Sequence, residues 1–370
     1  MKEKQTIFIA HNWSTVSVSN LSYHLALNLS QQHKVVFFNA KGPRNKYEKI
    51  NENLEVYDWP NKRPTKLKDF IFLSKLIKKY RPNIILAHFS AVNVCVICSK
   101  LFGITNNYIY YHTLVEQNSL DTTAKNKLGF KDKFAIYRKG ILYRMAGNII
   151  AVSEYARQEI IKYHKVKPAK VTVIHNGIPD SATKDINSAI KVGFAGRCDY
   201  SKGIDILIDA AGKLIEAGKP ITVEIAGNGK ERKKLEAFIE EKGWGGAIKF
   251  IGGVPYDEIR AFISSCYIFA VPSRIDNLPT VVIESMCCKV PVVASATGGI
   301  PELVVNNRTG LLFEKGNSND LAEKISLLLN NRQLRDEIAV DGRQLYERFY
   351  TIDEYVKRVK KHILTGVGDI

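Results

Sequence analysis

The chain has 370 residues, 45% hydrophobic and 25% charged, with a formal net charge of +17 at pH 7. This length is enough for two domains with full cores, and the balance is that of a soluble globular protein, which excludes a disordered or fibrous chain. The apolar segment Ile84–Cys98 is broken by His88, Ser90 and Asn93, so it is too short and too polar to span a bilayer.

In chain order the pattern is strand–helix alternation, the signature of α/β folds with parallel sheets. Thr6–Ile9 is expected as a strand, Val18–Ser30 as a helix and Lys34–Phe38 as a strand. The N-terminus enters its first strand without a signal-peptide core, which fits a cytoplasmic protein. Lys66–Tyr80 has the helical period, with Phe70, Leu73, Ile77 and Tyr80 on one face. Lys68, Lys75 and Lys79 lie together on the other, and Phe72 falls among them. That face is expected to meet an anionic membrane surface. Asn83–His88 and Tyr108–Tyr111 read as strands, and a helix between them runs to Leu101. Residues 113–130 show no period and are expected as a long loop. Phe134–Met145 and Glu154–Tyr163 read as helices around the strand Asn148–Ala151, and Val171–Ile174 closes the first series.

Ile178–Asn187 is polar and is the expected linker. The second series has strands at Lys191–Ala195, Ile221–Ile225, Ile248–Ile251, Ile268–Val271, Val290–Val293 and Leu311–Phe313, and the chain is helical from Ser318 to near Leu364. The expected division is a first domain over 1–177, a linker over 178–188 and a second domain over 189–350. Ligands of open parallel sheets bind beyond the carboxyl ends of the strands. Positive charge is concentrated in one half. Residues 1–180 hold 28 Lys+Arg against 12 Asp+Glu, or +16, and residues 181–370 hold 26 against 25, or +1. The first half is therefore expected to face a polyanion such as nucleic acid, anionic lipid or an acidic substrate. Cys95 and Cys98 form a C-x-x-C without the second pair or histidines of a zinc site, and they read as core residues, as do Cys287 and Cys288. Disulfides are not implied.

The richest stretch is Val271–Glu302, where Asp276 and Glu284 stand eight apart around Asn277-Leu278-Pro279. Thr280–Cys288 reads as a buried helix. The free amides of its first turn and its dipole favour an anion such as phosphate, and the two carboxylates suit hydroxyls. Read alone, an ordinary capped helix has the same spacing. The second series opens with Gly196 and Arg197 at a strand end, followed by Lys202 at a helix start. Two such cations are suited to a diphosphate leaving group, although solvated surface charges look the same. Turns at Asn228 and Val254 end the next two strands, with glycines that permit close approach of a base or ribose. There is no Walker loop and no G-x-G-x-x-G, which disfavours a kinase or dehydrogenase. No D-x-D is present to hold a metal–diphosphate complex. His112 terminates a core strand; His88 has the same placement and reads as structural.

The segments GFAGRCDYSKGIDILIDA, EIAGNGKERKKLE, FIGGVPYDEIRAFISSCYIFAVPS and PSRIDNLPTVVIESMCCKVPVVASATGGIPELV resemble, in order, those of the retaining GT-B glycosyltransferases of glycosyltransferase family four, in the form met among bacterial polysaccharide enzymes. Asp276 and Glu284 are similar to that family's E-x7-E pair, with aspartate first. The resemblance implies two Rossmann-like domains facing each other across a crevice, and a final helix, within 351–370, that returns to the first domain. It implies that Arg197 and Lys202 hold a diphosphate, Asp276 the donor sugar, Glu284 the ribose, and Asn277, Leu278, Pro279 and Thr280 the sugar and phosphates. His112 is similar to the histidine beside the transferred sugar. The first loop, His11–Thr15, departs from the family in having no glycine pair; Ser14 or Thr15 is expected to substitute, or the loop to serve the acceptor.

The expectation is a metal-independent hexosyltransferase with no cofactor. Its donor is a nucleotide-diphosphate sugar and its acceptor a cell-surface glycan or lipid-linked precursor, at the inner face of the plasma membrane. A nucleotide-sugar epimerase on the same fold is the alternative. A nucleic-acid-binding protein would explain the basic half, but no helix-turn-helix or aromatic-and-basic RNA motif supports it.

Overall fold

The computed structural model describes residues 4–11, 16–39, 47–123, 129–180 and 190–366. Ser14 and Thr15 of the first loop, and most of the expected linker, lie outside these. The chain divides into two compact units. One comprises Met1–Val115, Leu128–Gly177 and Ile352–Ile370, and the other Glu116–Lys127 and Ile178–Thr351.

The first unit is built on eight strands: β1 (Thr6–Ala10), β2 (Lys34–Asn39), β3 (Tyr47–Lys49), β4 (Leu54–Asp58), β5 (Ile84–Ala87), β6 (Asn107–Tyr111), β7 (Asn148–Ala151) and β8 (Val171–Val173). Their order is β3-β4-β2-β1-β5-β6-β7-β8, and only the β3–β4 pair is antiparallel. Parallel strands covered on both faces need unbroken apolar runs. Val35–Phe38 and Ile84–Ala87 supply them and are fully buried. The edge strand β3 is exposed throughout, and its Glu48 and Lys49 oppose pairing with another chain. Chain direction across the sheet reverses at β1, which lies between β2 and β5. The helix Ile352–Thr365 packs in this unit through Tyr355, Val356, Val359 and Ile363, and the hydroxyls of Tyr110 and Tyr355 meet at 2.9 Å.

The second unit carries β9 (Lys191–Ala195), β10 (Thr222–Ala226), β11 (Ile248–Gly252), β12 (Ile268–Val271), β13 (Val292–Ser295) and β14 (Leu311–Phe313). The order is β11-β10-β9-β12-β13-β14, all parallel, so β9 sits at the reversal point. The helices Ile204–Glu216 and Ser318–Asn330 cover one face with Leu207, Ala211, Leu321 and Ile325. All six cysteines are buried thiols.

Several expectations are corrected. Residues 113–130 are not a loop throughout, because Val115–Thr123 is a helix, and from Glu116 onward it belongs to the second unit. The helical stretch after Ser318 is three helices, broken at Asn331 and at Tyr350–Thr351. At the second break Ile178 N–H donates to the Tyr350 carbonyl at 2.9 Å. Phe72 does not project among lysines. Its ring packs edge-on against Phe38, Tyr57 and Trp59, with centroids 5.9–6.3 Å apart. The buried face of Leu67–Tyr80 is Asp69, Leu73, Leu76 and Ile77. Asp69 belongs to it because its carboxylate accepts from Lys66 N–H at 2.9 Å and from Asn61 at 3.1 Å, satisfying the helix start. Among the described residues no helix is long and apolar enough to cross a membrane.

Candidate active site

In open parallel sheets, ligands gather where strand order reverses, beyond the carboxyl ends. In the second unit those ends belong to β9, which runs into Gly196-Arg197, and β12, which runs into Pro272–Pro279. Lys202 ends a 3₁₀ turn, Tyr200–Lys202, and Gly203 follows with φ +65°. A Cβ at Gly203 would lie 2.0 Å from the Pro272 carbonyl oxygen, so only glycine lets the two loops approach this closely. The approach sets Lys202 Nζ 2.5 Å from Asp276 Oδ2, with both side chains largely buried. Ser273 Oγ donates to the same carboxylate oxygen at 3.3 Å. A second constraint acts on the backbone of Asp276. Its carbonyl accepts from Gly299 N–H at 3.0 Å, and a Cβ at Gly298 (φ +57°) would fall 1.9 Å from that oxygen.

Arg197 is held differently. It extends into solvent and pairs with Asp199 at 2.5 Å and with Asp121 at 3.4 Å. Asp121 also accepts from Ser201 N–H at 3.0 Å. Beneath, Arg274 makes a two-pronged pair with Asp205 at 2.7 and 2.6 Å and lies over the Tyr200 ring. Asp121, Asp199 and the Arg274–Asp205 pair were not among the residues expected from sequence. Asp121 gave no signal because it sits in a polar stretch without period, whereas Asp199 is only two positions from Arg197.

The turns after β9, β10 and β11 are joined backbone to backbone. Gly196 N–H donates to Ala226, Cys198 N–H to Asn228, and Gly227 N–H to Gly252, at 2.7–2.9 Å. A Cβ at Gly227 would meet the Gly196 oxygen at 1.8 Å, and one at Gly229 the Cys198 oxygen at 2.4 Å. These glycines therefore serve contact between the turns themselves, a role not expected from sequence. Asn228 Oδ1 accepts from Arg232 at 2.5 Å, and Val254 is half-buried just beyond β11.

Asn277, Leu278 and Pro279 are buried and lead into the helix Thr280–Cys287, with Pro279 as its N-cap. Glu284 lies one turn in, 3% exposed. Burial pushes its carboxyl up to about 7, with the Arg260 charge pulling the other way. A carboxylate placed at this cost is characteristic of a functional position.

His112 lies in the first unit. His11, His88 and His112 follow β1, β5 and β6, three neighbouring strands, at their carboxyl ends. His88 Nδ1 and His112 Nε2 are 3.0 Å apart, and the His11 and His88 rings lie at 5.0 Å. Burial, and the neighbouring His11, lower the His112 pKa to about 3; burial also takes His88 well below its ordinary value. Phe89, stacked on His112 at 4.4 Å, has φ +49°, a conformation that bulky residues adopt only under constraint.

Each of the two α/β units has its own reversal of strand order, and the second carries Arg197, Lys202, Asp276 and Glu284 on the loops and helix that follow β9 and β12. Residues 18–182 match the family model described as Glycosyltransferase Family 4, and residues 180–345 match Glycosyl transferases group 1. The chain belongs to the family-four glycosyltransferases of GT-B fold. An uncharacterized glycosyltransferase of Methanocaldococcus jannaschii is 34% identical over 204 residues, 54% of this chain and 55% of that protein. The capsular polysaccharide biosynthesis glycosyltransferase CapM of Staphylococcus aureus is 26% identical over 60% of this chain and 63% of its own. The chain thus spans about half to two thirds of the length of these relatives. An uncharacterized glycosyltransferase of Haemophilus influenzae aligns over 97% of this chain and 99% of its own, at 22% identity. The same fold is seen in sucrose-phosphate synthase of Thermosynechococcus elongatus, with a TM-score of 0.81 at 16% identity over 98% and 100% of the two chains. HepE of Anabaena, solved with UDP and glucose, has a TM-score of 0.79 at 20% identity over 99% and 100%.

Proposed function

We propose that the chain transfers a hexose, with retention of configuration, from a nucleotide-diphosphate sugar to a cell-surface glycan precursor, lipid-linked and presented at the inner face of the plasma membrane. The observation that carries this reading is the Lys202–Asp276 contact at the reversal point, with Glu284 on the next helix. In this reading Lys202 and Arg197 meet the diphosphate, and the first-turn amides of Thr280–Cys287 add to them. Asp276 and Asn277 take donor-sugar hydroxyls and Glu284 the ribose. His112 has the part implied by the family resemblance, contact with the transferred sugar. The nucleotide base lies against the turns at Gly196, Asn228 and Val254. UDP bound in the HepE structures and the polysaccharide role in CapM's name support the donor and acceptor classes.

The acceptor hydroxyl attacks the anomeric carbon on the face the diphosphate leaves. The bond to the phosphate oxygen breaks with its electron pair, and a donor phosphate oxygen takes the hydroxyl proton. Arg197 and Lys202 stabilise the charge that develops on the leaving diphosphate, so the step asks for charge and positioning rather than a resident metal or cofactor. Incubating the protein with UDP-, GDP- and dTDP-hexoses and a lipid-linked glycan precursor, and reading the new linkage by proton NMR, tests this. An axial linkage from an axial donor is expected. An inverted linkage, or free epimerised sugar nucleotide without transfer, overturns it.

A further inference from the structure

The helix Phe130–Met145 of the first unit turns its large apolar side chains away from the protein. Phe130, Phe134, Tyr137, Ile141 and Met145 are 86, 60, 61, 40 and 40% exposed. At about 100° per residue they fall within an arc of about 80°, one stripe along the helix. The opposite side is the packed one. The Tyr143 and His164 rings meet edge-to-face at 4.8 Å, the Ile136 carbonyl lies 3.0 Å from His164 Nδ1, and a Cβ at Gly140 would be 3.1 Å from the His164 carbonyl oxygen. A helix on a soluble protein normally buries its apolar stripe. This one presents it to water, which marks an interaction surface.

Cations border the stripe. Lys133 and Arg138, both exposed, flank it on its two sides, and the helix carries five basic residues against one acidic. The helix Ala91–Leu101 packs beside it and ends in the exposed Lys100 and Leu101, with the exposed Phe102 just after it. Beyond that helix, Leu67–Tyr80 packs in turn, with exposed Leu67 and Ile71 and four exposed lysines. The helix layer is thus apolar in stripes and positive between them. A second copy of the chain would bring like charges together on this face, which disfavours self-association there. An anionic bilayer answers both features: rings and methionine enter at the headgroup boundary, and lysines and arginines meet phosphates.

We infer that this helix layer docks on an anionic bilayer surface, with the Phe130–Met145 stripe inserted at the interface. The inference stands on the surface alone and holds whether or not the chain transfers sugar. Sedimentation of the full chain with vesicles tests it, using phosphatidylcholine alone and phosphatidylcholine with phosphatidylglycerol. Two variants are compared: Phe134→Ser/Tyr137→Ser/Ile141→Ser and Lys133→Glu/Arg138→Glu. Circular dichroism and gel filtration follow folding and oligomeric state. The wild type is expected to bind anionic but not neutral vesicles, and each variant to lose about tenfold or more in partitioning while staying folded. No binding to anionic vesicles overturns the inference. So does binding that survives the serine variant, which would make the contact purely electrostatic. A wild-type dimer that the serine variant dissociates, with vesicle binding unaltered, would assign the face to a second copy instead.

Discussion

Lys202 Nζ stands 2.5 Å from Asp276 Oδ2, joining the loop after β9 to the loop after β12. The contact sets a cation and a carboxylate side by side at the point where strand order reverses. Lys202→Ala is expected to lower turnover by about 10²-fold, the scale for losing a preorganised charge in the transition state. It also costs about 1–3 kcal/mol of stability, because Asp276 loses a charged donor. Arg197→Ala is expected to give a comparable kinetic loss without the stability loss, since its side chain is mostly solvated. Steady-state kinetics with urea denaturation checks both, and near-normal turnover in the two variants would sink the diphosphate assignment.

Gly298→Ala probes positioning. The left-handed φ alone costs a non-glycine residue about 1–3 kcal/mol, and the methyl would press on the Asp276 carbonyl. Displacing the Asp276 backbone, and its carboxylate with it, by about 1 Å is expected to reduce turnover by about 10²-fold. A variant with lowered melting temperature and unchanged turnover would show that the turn is structural only.

Glu284 is expected to trade stability for binding. Its folded pKa, about 7, lies above its ordinary value, so the unfolded chain ionises first and stability falls as pH rises through that window. Glu284→Gln removes this penalty. The variant should melt higher than wild type at pH 8, melt like it at pH 4, and bind nucleotide diphosphate more weakly at both. A variant that melts lower at pH 8 would contradict the account.

His112 behaves in the opposite sense. With its folded pKa lowered to about 3, the unfolded imidazole takes a proton that the folded one refuses, and stability is lost as pH falls below about 6.5. His88 acts in the same direction. Denaturation at pH 7.5 and pH 5 should show a smaller acid-induced loss in His112→Gln than in wild type, and equal losses would argue against a buried neutral ring.

The central parallel strands were legible because they are buried on both faces and therefore carry continuous apolar runs, as in Val35–Phe38 and Ile268–Val271. The strands β3 and β4 were missed. One is an exposed edge of Tyr47, Glu48 and Lys49, and the other contains Glu55, whose buried carboxylate is paired with Lys34. Phe72 was misplaced because a count of apolar residues cannot see that Asp69 belongs to the packed face. The helix Val115–Thr123 has no apolar period; Asp121 ties it to Arg197 and to the amide of Ser201. At the site, the chemistry-bearing residue types were readable, but the glycines that bring their loops together were not. Their necessity lies in contacts with carbonyls distant in sequence, such as Gly203 with Pro272 and Gly298 with Asp276.

The most direct measurement of the central claim is a thermal-shift titration of wild type, Glu284→Ala and Asp276→Ala with UDP, GDP and dTDP, since a ligand that binds only the folded state raises its melting temperature by mass action. The account predicts that at least one of these nucleotides stabilises the wild type in a concentration-dependent way. Asp276→Ala should keep that response, because its partner is the sugar, and Glu284→Ala should lose it, because its partner is the ribose. No shift with any nucleotide, or a response in Glu284→Ala equal to that of wild type, would contradict a donor site in the second unit.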